Sequence, residues 1–127
     1  MTSEKIKLKA RQERFLRDSV PVRLANLASN LARLKSFVAH PAMGEAAQRV
    51  IYESKHFIEW TAGDAALAVQ VELIEVQRQL AQWQLTWAEG WSRAEKRAEM
   101  ANYADLWAQK FLAHSGLLNA GNISISS

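Results

Sequence analysis

Between residues 20 and 38 the apolar side chains fall at Val20, Leu24, Leu27, Leu31, Leu34 and Val38, at intervals that alternate four and three. At 3.6 residues per turn this keeps all six on one side of an α-helix, the heptad seam of a helix that packs against other helices. A strand would need an interval of two. Ser19 and Pro21 mark its start, because a serine hydroxyl can take up an orphan amide and proline is tolerated in the first turn. His40-Pro41 marks its end, since the residue before a proline is pushed out of the helical region.

The same spacing returns twice. Met43, Ala47, Val50, Ser54, Phe57 and Thr61, widened by Ile51, Ile58 and Trp60, predict a second helix. Gly63 is placed to end it in a left-handed conformation. Val69, Leu73, Val76, Leu80, Trp83 and Trp87 predict a third helix beginning at Asp64. Gly90, followed by Ser92-Arg93-Ala94-Glu95 in the order of a capping box, predicts a break or sharp kink at 90–92. The seam nevertheless stays in phase through Trp91, Ala94, Ala98 and Ala101. The last helix carries Met100, Tyr103, Trp107 and Phe111 beside its alanine strip.

Helices over 19–39, 42–62, 64–90 and 92–115 predict an all-α domain, an up-and-down four-helix bundle spanning 19–115. Residues 1–18 form a basic N-terminal helical extension docked through Phe15 and Leu16, and 116–127 a flexible tail. With two prolines and five glycines in 127 residues, there is little punctuation for short strands. No cysteine occurs, which excludes disulfides, thiol catalysis and thiolate metal sites. The charged N-terminus is unlike a secretory signal, and no apolar run approaches the roughly 18 residues of a membrane span. A cytoplasmic protein without membrane contact is the expectation.

The net charge of +3 is unevenly spread. Residues 1–17 carry Lys5, Lys7, Lys9, Arg11, Arg14 and Arg17 against Glu4 and Glu13, so the rest of the chain is close to neutral. Six cations on a short arm can contact phosphates with salt-dependent affinity and little base selectivity. Nucleic-acid binding is therefore an alternative function.

Trp83, Trp87 and Trp91 stand one helical turn apart. Three indoles on one face would expose roughly 450–750 Å², at or above the largest apolar patch of a typical monomer. Leaving them wet would forfeit on the order of 10 kcal/mol, comparable to a domain's net stability. They are expected to be covered, either by the core or by a second copy. The predicted core and interface seam is Trp83, Trp87, Trp91, Trp107 and Phe111 with Ala94, Ala98 and Ala101. A tryptophan-lined cleft for a small ligand is a further alternative.

Few residues suggest chemistry. Glu53 and His56 form the Glu-x-x-His step by which di-iron bundles aim two ligands at one metal, but a second such step is missing. Arg33…His40 and Arg49…His56 each resemble the Arg-x(4–6)-His element of HEPN-type ribonucleases, which are helical bundles acting as dimers. That resemblance implies RNA cleavage by Arg49 and His56. It covers two residues each time, and Leu34 and Val50 stand where that family places a polar residue beside the arginine. No phosphate-binding loop, nucleophile elbow or zinc step occurs. The sequence points to a non-catalytic helical interaction module without a cofactor, self-associating as a homodimer or meeting an unidentified protein partner.

Overall fold

A computed structural model describes residues 2–116, and every regular element within that range is helical. The elements are α1 (Thr2–Leu16), α2 (Val20–Val38), a 3₁₀ turn (Pro41–Met43), α3 (Gly44–Ala62), α4 (Leu67–Leu85), α5 (Trp87–Trp91) and α6 (Ala94–Ser115). The predicted tail beyond Gly116 lies outside the described residues. None of the described helices is long and apolar enough to cross a membrane.

The heptad seam makes α2 the central helix. It packs against α6 along one side and α3 along another, α3 also meets α4 and α1, and α5 bridges α4 and α6. Leu24, Leu27, Leu31, Leu34 and Val38 are all buried. They share the core with Ala47, Val50, Ile51, Phe57 and Ile58 of α3, Leu73, Val76 and Leu80 of α4, and Met100, Ala104, Trp107 and Phe111 of α6.

The helix ends differ from their expected chemistry. Ser19 has the extended backbone of a cap, but its hydroxyl caps nothing; the first bond of α2 runs from the Arg23 amide to the Ser19 carbonyl at 3.0 Å. His40 is extended ahead of Pro41, and the next turn is 3₁₀, so the α-helix predicted from 42 begins at Gly44. Gly63 is right-handed (φ −66°) rather than left-handed, and the left-handed cap is Gly116 (φ 77°).

The predicted helix 64–90 is shorter and is split. Asp64 does not start α4, because its carboxylate accepts a 2.8 Å bond from Arg23, and Ala66 takes the cap position. α4 stops at Leu85, where the Thr86 hydroxyl donates back to the Gln82 carbonyl at 3.0 Å, a bond that bends helices. Gly90 is buried within α5, where a Cβ would lie 3.3 Å from the Met100 methyl; its smallness serves close packing on α6. The turn into α6 falls at Ser92-Arg93. The Ser92 hydroxyl bonds backward to the Glu89 carbonyl at 2.8 Å, so the capping box does not form and Arg93 occupies the cap position.

The basic arm is a helix packed onto the body. Phe15 stacks on Phe57 with ring centres 4.4 Å apart and leans on Trp60 at 5.6 Å. Leu16, expected to dock beside it, is exposed. The junction with α2 is fastened by buried Arg23, which donates to the carbonyls of Leu16, Asp18 and Trp60 as well as to Asp64.

Candidate functional site

The tryptophans divide into two groups. Trp107 is buried with Phe111, their rings 5.4 Å apart, so this half of the predicted seam is core. Trp83, Trp87 and Trp91 are half-buried and lean on the core. Trp83 meets Tyr103 edge-on at 5.3 Å, and Trp87 stacks on Trp91 at 4.9 Å. Trp91 Nε1 donates to the Pro41 carbonyl at 3.0 Å, closing the end of the molecule over Gly44, where a Cβ would sit 3.1 Å from that nitrogen. Of the alanine strip, Ala94 and Ala98 are exposed, and Ala101 is half-buried against the core. A cleft of about 280 Å³ lies between Trp83, Gly90 and Met100, rimmed by Glu89, Lys96 and Glu99.

Arg49 and His56 lie on α3 two turns apart, about 10 Å along the axis. Tyr52 stands between them, its ring edge-on to the His56 imidazole at 4.7 Å. On its other side the imidazole stacks on Trp60 at 5.3 Å. His56 is thus held as part of an aromatic column, while Arg49 lines a surface hollow with Glu45, Gln48 and Tyr52 that His56 does not line. Glu53 faces another way: it pairs with Arg11, accepts from Asn30 at 2.9 Å and lies 3.6 Å from Arg33. A carboxylate held by two guanidiniums and an amide is poorly disposed to share a cation with His56.

Lys5, Lys7, Lys9, Arg11 and Arg14 are exposed on α1, and Arg17 is exposed in the turn that follows it. Folding brings Lys7, Arg11 and Arg14 to one side, where with Glu4, Leu8 and exposed Tyr52 they line an open hollow of about 530 Å³ between α1 and α3. A stackable ring beside three cations is an arrangement the sequence did not reveal, because Tyr52 comes from a different helix.

The largest surprise is α4. Its inner face carries the expected Val69, Leu73, Val76, Leu80 and Trp83. A second strip, Leu67, Val71, Ile74, Arg78, Ala81 and Leu85, repeats the four-three spacing two residues out of phase, about 200° around the helix. Leu67 is 75% exposed, Val71 62%, Ile74 61% and Leu85 83%. Polar ties fasten α4 on either flank: Lys55 of α3 donates to Gln84 at 2.7 Å, and His114 of α6 meets Glu72 at 2.7 Å. The apolar strip faces outward between them. Its heptad spacing was the signal available in the sequence, masked by the bulkier inner seam.

Comparison with known proteins adds no identity. No family model, curated protein or solved structure matches this chain.

Proposed function

We propose that this chain is a non-catalytic helical interaction module that self-associates, with its long helices closed as an up-and-down bundle. The observation that carries the reading is the exposed heptad strip on α4. A surface helix ordinarily has one apolar face turned to the core. α4 has two, and the second includes four large side chains in the open.

The energetics favour a modest association. Full burial of a Val, Leu or Ile side chain is worth about 1.5–3 kcal/mol. Covering four from each of two chains, already partly shielded, gives on the order of 10 kcal/mol before the cost of association, about 4–15 kcal/mol, is set against it. The balance corresponds to a dimer that dissociates on dilution. The cysteine-free composition suits a reducing cytoplasm, where we place it. Light scattering across a dilution series tests the reading: the mass should rise toward twice 14.3 kDa with concentration, whereas a constant 14.3 kDa contradicts it.

A second reading is favoured by the hollow between α1 and α3, lined by Lys7, Arg14 and exposed Tyr52 together with Arg11, which Glu53 holds. Cations beside an aromatic face suit a single-stranded nucleic acid, held by phosphate contact and base stacking. Titration of labelled RNA decides it: binding at low salt that weakens steeply with added salt supports the reading, and no binding at low salt removes it.

A further inference from the structure

We infer that α4 pairs antiparallel with α4 of a second copy of this chain, across a two-fold axis beside Val76. This rests on the self-association proposed above and adds the helix, its direction and its register. An isologous interface must be complementary to itself. The strip Leu67, Val71, Ile74, Arg78, Ala81, Leu85 is spaced symmetrically about Val76, so its layers match when one copy is reversed. Leu67 then meets Leu85, Val71 meets Ala81, and Ile74 meets Arg78.

The charges select this direction. A parallel pair would set Arg78 against Arg78 in the middle of an apolar seam, a like-charge contact in a drying interface. Reversal places each Arg78 stem over Ile74 of the other copy, with that copy's Glu75 beside it. Arg78 already pairs with Glu75 within one chain at 2.7 Å, so the same two residues can exchange partners across the axis. A lipid surface is a poorer occupant, because it calls for basic residues along the flank and this strip offers Arg78 beside Glu75. The contact is small. Nineteen residues give a seam about 28 Å long, short of the extent that supplies the roughly 800 Å² per partner of a standard interface. Such a dimer forms only at high concentration, from about tens of micromolar toward the millimolar range.

The chain has no cysteine, so introduced thiols report without background. Leu67→Cys and Leu85→Cys alter exposed positions at opposite ends of the strip. In the antiparallel register, a cysteine at 67 faces one at 85 of the other copy, whereas two identical positions lie about 27 Å apart, far beyond the Cα separation of about 4.4–6.8 Å that a disulfide spans. Under mild oxidation the mixed variants should cross-link at least tenfold faster than either variant alone. Equally fast cross-linking of one variant by itself would overturn the antiparallel direction. No cross-link in a mixture whose mass is dimeric would place the contact on another face. A monomeric mass at every concentration would instead remove the self-association on which the register depends.

Discussion

Arg23 joins three parts of the chain through one buried guanidinium, donating to Leu16, Asp18, Trp60 and Asp64. Replacing it with alanine leaves three carbonyls short of a donor and Asp64 without its cation. Arg23→Ala should cost about 2–4 kcal/mol, read from the urea midpoint, and an unchanged midpoint would show that the knot adds little. Tyr103 carries a different signature. Burial, aided by the nearby Glu75 carboxylate and opposed by Arg78, raises its phenol above the ordinary 10.0. A folded-state value above the unfolded one means that this contribution to stability is complete below pH 10 and is lost as pH rises through the folded value. In a Tyr52→Phe background, an ultraviolet titration should therefore place the remaining phenol above 10.0 in the native protein; a midpoint at or below it would contradict the packing. Neither role was visible in the sequence, because each depends on which helices come together.

At the scale of elements, the legible parts were those with a single apolar face. The α2 seam could be read residue by residue because, from Leu24 to Val38, Phe37 is the only large apolar side chain off the seam. α4 defied the same reading, since Leu73, Val76 and Leu80 drew attention away from Val71 and Ile74 on its opposite side. Helix ends were harder still. Asp64 was lost to Arg23, Ser92 turned its hydroxyl backward, and Thr86 broke a helix at a place where no glycine or proline stands. The two faces of α4 should separate cleanly on mutation. Leu73→Ala, at a fully buried position, should cost about 2–4 kcal/mol in denaturant unfolding. Val71→Ala should change the stability of the dilute monomer by no more than about 0.5 kcal/mol. Comparable losses at both positions would mean that the outer strip is not free in the monomer.

For the whole molecule, the all-helical class was open to sequence reasoning, while the candidate surface was only partly so. The expected aromatic seam splits between a buried pair, Trp107 and Phe111, and a half-covered end at Trp83, Trp87 and Trp91. The basic arm packs onto α3 through Phe15, which orients its cations toward Tyr52. What the sequence could not supply was the sum of these placements: it shows which faces are apolar, and only the fold shows which one is left over. The central claim is that the leftover face, α4's outer strip, meets a second copy. Sedimentation equilibrium of the wild-type chain beside a Val71→Asp/Ile74→Asp variant, over one shared concentration series, tests it most directly. The account predicts a concentration-dependent dimer for the wild type and a 14.3 kDa monomer with undiminished helix content for the variant. Equal masses for the two proteins, whether both monomeric or both dimeric, would contradict it.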